Sequence, residues 1–315
     1  MIRAVMSLPA AALLAVLSGL AAADPGSTGP ADGQAQAQSV LRAQVLLERS
    51  HFSPGQIDGE PGSSFAGALA GFQRSRDLAD DGRLGPDTWS ALELDAVPTL
   101  VEYTLTQADV AGPFTQLPES IPDRAALPAL GYESVEEALA ERFHASEDLL
   151  RALNPDAAMD QAGTVLKVPN VLDLPALPTP VRILVSESDG VLRLIDADDV
   201  VLAQFPASMG SEHDPLPIGD WTVTTIAENP VFDYDPALLR DADPDSAPAQ
   251  LPAGPNNPVG AVWIGISKPH YGIHGTPEPV RVGKTESNGC IRLTNWSVRR
   301  LAQVVKVGMP VAMTE

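Results

Sequence analysis

The sequence predicts a multidomain protein in which an N-terminal three-helix bundle and a small α+β segment precede a C-terminal, mostly-β domain with one appended helix. Apolar residues recur at helical spacing before residue 95, and strand-like apolar runs dominate after residue 180. The 30 prolines cluster between these parts. A length of 315 residues also agrees with two or three domains.

The N-terminus predicts export. Arg3 precedes an apolar run that ends in three alanines at residues 21–23. This pattern is typical of a signal peptide, here over residues 1–23, followed by a flexible leader over residues 24–37. Because no other stretch approaches the roughly 20 apolar residues of a membrane helix, we expect no membrane span after cleavage and a location in the periplasm or cell wall.

The chain is strongly acidic. Its net charge is −21, from 20 basic and 41 acidic residues. Such a charge repels phosphate backbones, so nucleic acid is not expected as a partner. We interpret the acidity as an aid to solubility.

Residues 38–97 carry the pattern of three short helices. Two Asp-Gly turns begin at Asp58 and Asp81, a Phe72-Gln73 pair lies between them, and the last helix begins before Trp89. These features together resemble a peptidoglycan-binding module of the three-helix type. An unrelated three-helix bundle remains the alternative.

Residues 98–172 begin with a strand-like run and contain a proline-bearing insertion that ends at Pro128. A helical stretch follows over residues 134–143. Residues 146–155 and 162–170 resemble the second helix and last strand of a LysM glycan-binding domain, so we predict a divergent LysM-like domain. A packing spacer is the alternative interpretation.

A stiff, proline-rich linker over residues 173–180 leads into the strand-rich domain of residues 181–315. The Asp189-Gly190 turn predicts a hairpin, and Thr294 or Asn295 can cap the appended helix. An acidic loop runs from Asp233 to Pro252, and we interpret its stretch from Asp233 to Asp245 as a flexible, solvated lid, because it lacks the glycine and distal glutamate of a calcium loop.

The single cysteine, Cys290, is the most informative residue. In an exported protein an unpaired cysteine is either inert or kept for its reactivity. Cys290 follows a small Ser287-Asn288-Gly289 turn, and His274 lies upstream at a spacing that fits two strands meeting at one cleft. The pattern favours a thiol nucleophile.

The segments Ile273-His274-Gly275-Thr276 and Ser287-Asn288-Gly289-Cys290-Ile291-Arg292-Leu293 resemble the active-site signature of the L,D-transpeptidase catalytic domain, of the YkuD type. The resemblance implies that Cys290 is the nucleophile and His274 the general acid/base. It also implies that the Gly275 carbonyl orients His274 and that the Gly289 N–H stabilises an oxyanion. We expect the imidazolium of His274 to stabilise a thiolate on Cys290.

We predict substrate-binding positions around this pair. Arg292 suits a substrate carboxylate, and the aromatic rings lie on neighbouring strands. Asn288 replaces the second histidine that most members of the family carry. The predicted substrate-binding residues are Arg292, Ser287, Asn288, Tyr271 and Trp263. No cofactor is expected, and the histidines lack metal-ligand spacing.

The resemblance implies action on peptidoglycan. The donor is a stem tetrapeptide, whose third-residue carbonyl forms an acyl-enzyme with Cys290. The acceptor is an amine, either of another stem in a 3-3 crosslink or of an envelope protein. Two alternatives remain open, namely an L,D-carboxypeptidase of the same fold and a non-catalytic envelope tether that binds peptidoglycan.

Overall fold

The computed structural model describes residues 30–238, 247–287 and 289–315. The predicted signal peptide and the start of the predicted leader lie outside these ranges. The helices are α1 (Pro30–Arg49), α2 (Ser63–Arg74), α3 (Pro86–Leu92), α4 (Gln107–Val110), α5 (Ile121–Ala125), α6 (Val135–Arg142), α7 (Glu147–Leu153) and α8 (Asn295–Ala302).

The strands are β1 (Leu100–Thr104), β2 (Val165–Pro169), β3 (Arg182–Ser186), β4 (Val191–Ile195), β5 (Val201–Pro206), β6 (Gly219–Glu228), β7 (Phe232–Tyr234), β8 (Ala249–Leu251), β9 (Val262–Ile266), β10 (Gly272–His274), β11 (Ile291–Arg292) and β12 (Pro310–Thr314).

Helices α1 to α3 form the predicted N-terminal bundle around a shared apolar core. Gln73 of α2 is buried, and its side chain holds the second Asp-Gly turn, Asp81-Gly82, in place through hydrogen bonds. Its amide donates to Asp81 Oδ1 at 3.0 Å and to Thr88 Oγ1 at 2.9 Å, while its oxygen accepts from Gly82 N–H at 2.9 Å. One side chain therefore ties α2 to the start of α3.

The predicted flexible leader is wrong from Pro30 onward, because α1 already begins there. Proline fits the first turn of a helix, and the alanines and glutamines that follow are good helix formers. In the described ranges, no helix combines the length and the apolar character needed to cross a membrane.

The middle segment has the order strand, helix, helix, strand. β1 and β2 pair antiparallel, and α6 and α7 pack on them around Phe143, Leu150 and Leu166. The insertion after β1 carries α4 and α5. Both the likeness of this segment to a LysM domain and its glycan binding stay predictions.

The C-terminal domain is the predicted mostly-β unit. Its eight-stranded main sheet has the order β11-β10-β9-β6-β12-β3-β4-β5, and α8 packs over the apolar core that the sheet encloses. The ten-residue β6 pairs with β12 through its first half and with β9 through its second half. The sheet curls so far that Ser208, just after β5, bridges to Arg292 of β11.

The helical bundle docks on the exposed edge of β5. The turn after α1 forms a bridge between Phe52 and Gln204, with hydrogen bonds of 2.9 Å from Ser53 N to Gln204 O and from Gln204 N to His51 O. The Gln204 amide also donates to Gly67 O of α2 at 2.8 Å. The bundle thus covers an edge that could otherwise pair with another chain.

The acidic loop that contains the predicted lid begins and ends in the strands of an ordered two-stranded sheet. β7 and β8 pair antiparallel, and Tyr234 and Leu251 form an apolar cluster with Leu130 of the middle segment. The prediction of a solvated loop is wrong for these strands, because the insertion supplies an apolar surface that the local sequence does not reveal. Residues 239–246 lie outside the described ranges.

Candidate active site

Three neighbouring strands bring three side chains into one row. His274 at the end of β10 pairs with Trp263 of antiparallel β9 and with Arg292 of parallel β11. Residues paired in register point to the same face of a sheet. The Trp263 and His274 rings are stacked, with centroids 5.6 Å apart and planes 21° apart. Trp263 therefore fixes one face of the imidazole.

A second row lies one step along the same face. Gly265 pairs with Gly272, and the register of β10 with β11 places Cys290 beside Gly272. Cys290 and His274 are therefore diagonal neighbours, a relation that places Cα atoms about 7–8 Å apart. A Cβ on Gly272 would lie 2.6 Å from the Trp263 ring, so the glycine leaves room for the indole.

His274 is 4% exposed, and its Nδ1 lies 2.6 Å from Gly275 O. A carbonyl oxygen can only accept, so Nδ1 carries the hydrogen. In the neutral imidazole, Nε2 then has a free lone pair and can take a proton. The backbone carbonyl at position 275 thus selects the tautomer.

Burial sets the charge state of both groups. It lowers the pKa of His274 to about 4, and the positive charge of Arg292 acts in the same direction, against the Gly275 hydrogen bond. Burial also raises the pKa of the Cys290 thiol, more than contacts with Gly272 and Arg292 lower it. Burial therefore favours the neutral form of each group in the resting protein, which is the opposite of the charge state expected for a thiolate–imidazolium pair.

The turn before Cys290 has a tightly specified backbone. Gly289 has φ of +89°, and a Cβ there would lie 2.5 Å from Cε1 of Tyr271, so the ring packs directly on the glycine. Asn288 lies outside the described residues. The thiol of Cys290 is partly exposed and lies 3.7 Å from His270 O.

Ser287 is buried inside this turn. Its hydroxyl donates to Cys290 O at 2.5 Å, and its N–H donates to Gly210 O at 2.9 Å. The predicted substrate contact through this hydroxyl does not fit the structure, because the hydroxyl already holds the turn. Ser287 supports the backbone on which Cys290 is carried.

Arg292 is half-buried beside the pair. Among the described residues, no carboxylate lies within ion-pair distance of its guanidinium, whereas the buried or half-buried Arg49, Arg182, Arg193 and Arg300 each have one. The N–H donors of the Arg292 guanidinium are therefore available to bind a carboxylate from outside the protein. Within the same ranges, no group of three His, Cys, Asp or Glu side chains could hold a metal ion.

The sequence predicts only a possible helix cap at Asn295, and the structure gives this residue a different role. Thr294 is the cap of α8, with Oγ1 accepting from Ser297 N–H. The Asn295 side chain is free for another task and packs against Gly275. The sequence does contain a sign of this role. Thr294 and Asn295 can both cap a helix, but only one of them can occupy the cap position, so the other is available for a different contact.

Comparison with known proteins agrees with this geometry. The family described as L,D-transpeptidase catalytic domain matches residues 180–313, and a peptidoglycan binding domain matches residues 36–92. The L,D-transpeptidase YkuD of Bacillus licheniformis is 30% identical over 180 residues, which are 56% of this chain and 92% of the relative. YqjB of Bacillus subtilis, also named an L,D-transpeptidase, is 35% identical over 144 residues, 44% of this chain and 74% of the relative.

Among solved structures, an L,D-transpeptidase from Xylanimonas cellulosilytica aligns with 91% of this chain and 95% of its own, at a TM-score of 0.38 and 17% identity. The relative from B. licheniformis is matched over nearly its whole length. This chain belongs to the L,D-transpeptidase family.

Proposed function

We propose that this protein transfers an acyl group from a peptidoglycan stem tetrapeptide to an amine through a thioester on Cys290. The observation that carries the proposal is that His274 ends β10 while Cys290 directly precedes the adjacent parallel strand β11, with His274 Nδ1 held by Gly275 O at 2.6 Å. A nucleophile, a proton carrier and a group that orients the carrier are what acyl transfer requires.

The first half of the reaction begins from the neutral pair. The Cys290 sulfur attacks the carbonyl carbon of the third stem residue while His274 Nε2 takes the thiol proton. Collapse of the tetrahedral intermediate breaks the bond to the terminal D-alanine nitrogen, and His274 returns the proton to that amine. The products are a thioester and free D-alanine.

The second half reverses these roles. An acceptor amine attacks the thioester, His274 takes a proton from the amine, and the carbon–sulfur bond breaks as the thiol is protonated again. The acceptor is an amine of a neighbouring stem, which yields a 3-3 crosslink, or an amine of an envelope protein. Water in the same position would give the carboxypeptidase reaction.

The surrounding residues support the same chemistry. The Gly289 and Cys290 N–H groups lie at a turn where a substrate carbonyl can approach closely, and they are our proposed oxyanion donors. Arg292 has no acidic partner among the described residues and is our proposed contact for a stem-peptide carboxylate. Trp263 and Tyr271 border the site, while the N-terminal bundle would hold the enzyme on peptidoglycan after export.

The test is incubation of the mature protein with disaccharide tetrapeptide, followed by mass spectrometry. We expect dimers that have lost one D-alanine, and no product from Cys290→Ala. The matched variant Gly67→Ala changes a helix residue with nothing within 4 Å of the added Cβ and should act like wild type.

Each outcome separates the hypotheses. Trimmed tripeptide monomers without dimers would replace transfer by hydrolysis. No product from a folded wild-type sample, together with no labelling of Cys290 by a carbapenem, would favour the non-catalytic tether. Dimers formed by Cys290→Ala would remove the thioester from the mechanism.

A further inference from the structure

Asn295 is a fully buried amide whose hydrogen bonds connect two parts of the molecule. It is 1% exposed and lies at the start of α8. Its Oδ1 accepts from Ala261 N–H at 2.8 Å, and its Nδ2 donates to Pro255 O at 3.0 Å and to Glu141 Oε2 at 2.8 Å. Both donor hydrogens are thus used, and the orientation of the amide is fixed.

The same amide is wedged against the peptide that follows His274. A Cβ at Gly275 would lie 2.2 Å from Asn295 Oδ1, and a Cβ at Gly260 would lie equally close. Only glycine permits this contact. Asn295 therefore sets the position of the residue whose carbonyl accepts from His274 Nδ1.

Glu141, the partner of Asn295, belongs to α6 of the middle segment. Its other oxygen, Oε1, accepts from Tyr132 O–H and from Arg299 Nη1, each at 2.8 Å. Its side chain is only 12% exposed. Because both oxygens are occupied, the carboxylate offers Asn295 a fixed acceptor rather than a mobile one.

We propose that Asn295, held by Glu141, is a positioning residue for His274. Through Gly275, it keeps the imidazole in the tautomer and orientation that leave Nε2 directed at the reacting groups. The inference rests on the proposed role of His274 in proton transfer. It makes the middle segment a functional part of the catalytic apparatus, in addition to any role in wall binding.

The proposal predicts an effect on turnover and not on substrate affinity, because neither residue touches the substrate. Small displacements of a catalytic group can cost up to about a hundredfold in rate. We expect Glu141→Ala to lower kcat roughly tenfold and to leave KM within about twofold.

A matched control lies one helical turn earlier. Glu137 of α6 accepts from the Asn256 amide at 2.7 Å, so it also joins the middle segment to the catalytic domain, but it reaches Asn295 only indirectly, through the Pro255 carbonyl that precedes Asn256. Glu137→Ala should keep kcat within about twofold of wild type. Equal losses in the two variants would show that Glu141 contributes only to domain docking.

If Glu141→Ala fails to fold, a second pair of variants tests the same contact by exchanging the donor at position 295 with the acceptor at position 141. Asn295→Asp retains the acceptor for Ala261, but it loses the donor to Pro255 O and places a carboxylate against Glu141, so kcat should fall. In the double variant with Glu141→Gln, the new amide NH2 at position 141 can donate to the carboxylate at position 295. The amide oxygen at position 141 still accepts from Tyr132 O–H. Recovery of at least threefold in kcat, roughly 0.7 kcal/mol, is expected for the double variant.

Absence of any recovery in a folded double variant would overturn the positioning role. Failure of the proposed function has a different result, since wild type itself would then form no dimers. Active wild type with equal activity in the Glu141 and Glu137 variants would refute this inference alone.

Discussion

Burial in the sheet favours the neutral forms of His274 and Cys290, and in the proposed reaction this determines how the thiol is activated. The pKa of His274 is lowered to about 4 and that of Cys290 is raised. At neutral pH the imidazole is therefore a ready base, and the sulfur becomes nucleophilic only as its proton leaves. Proton transfer and attack are coupled in one step.

The rate of Cys290 alkylation by iodoacetamide should therefore keep rising with pH. The thiolate fraction grows about tenfold per pH unit below the pKa, which here lies above the ordinary value of 9.0. Mass spectrometry at a series of pH values measures this rate. A plateau between pH 6 and 8 would instead indicate a thiolate–imidazolium pair.

Arg292 provides the control for this measurement. Its positive charge lowers the pKa of Cys290, so Arg292→Gln should slow alkylation at a given pH. An unchanged rate would show that the guanidinium does not act on the sulfur.

At the residue scale, the sequence indicated the candidate residues but not the charge states that burial favours. Cys290, His274 and the glycines beside them lie in two short segments whose pattern is specific. Their neutral resting form depends on burial by strands that are distant along the chain, among them β9 with Trp263. Local sequence contains no information about that burial.

Helix α8 connects the catalytic sheet to the middle segment, so its first turn is the most sensitive part of this element. Thr294 caps it and is 1% exposed. Thr294→Ala should lower the free energy of unfolding by about 1 kcal/mol, because the Ser297 N–H loses its acceptor. Chemical denaturation measures the change.

Thr294→Ser is the matched variant, since it keeps the hydroxyl and removes only a methyl group. It should recover most of the capping contribution. A loss as large as that of alanine would mean that packing of the methyl group, and not the cap, stabilises this turn.

At the element scale, strands with local signals were predicted well. The Asp189-Gly190 turn and the alternating runs around it correspond to the β3–β4 hairpin. The bridge between Ser208 and Arg292, which nearly closes the sheet, was not predictable. It depends on the accumulated twist of eight strands, which no single segment encodes.

At the scale of the whole molecule, a buried charged cluster joins all three parts. Glu48 of α1 is fully buried, with Oε1 3.0 Å from Nδ1 of His144 in the middle segment and 3.8 Å from Nη1 of Arg300 in α8. Burial raises the pKa of Glu48, but the hydrogen bond and the charges of His144 and Arg300 outweigh it, and the net pKa is lowered. Glu48 therefore remains ionised in the folded protein.

Removal of this carboxylate should destabilise the protein strongly. Glu48→Ala leaves Arg300 buried without its acidic neighbour, and we expect a loss of about 3–5 kcal/mol in the free energy of unfolding. Because the pKa of Glu48 is lowered, its contribution is complete above pH 4.5 and is lost as pH falls below that value. Denaturant titrations at pH 7 and pH 4 measure both effects.

An exposed ion pair is the control for the buried one. Glu147 and Arg151 on α7 are 39% and 52% exposed, so Glu147→Ala should cost less than about 1 kcal/mol. Comparable losses for the two variants would show that the cluster is not a junction but an ordinary ion pair.

The apolar contact of Leu130 with Tyr234 and Leu251 limits how this protein can be divided in the laboratory or in evolution. A shortened chain starting at the proline-rich linker would keep the thiol and the imidazole, but it would lack the apolar residues that pack against strands β7 and β8. We expect such a fragment to aggregate on expression. Gene fusions that exchange the middle segment for an unrelated wall-binding domain would expose the same apolar surface, although the sequence alone suggests that the domains are independent.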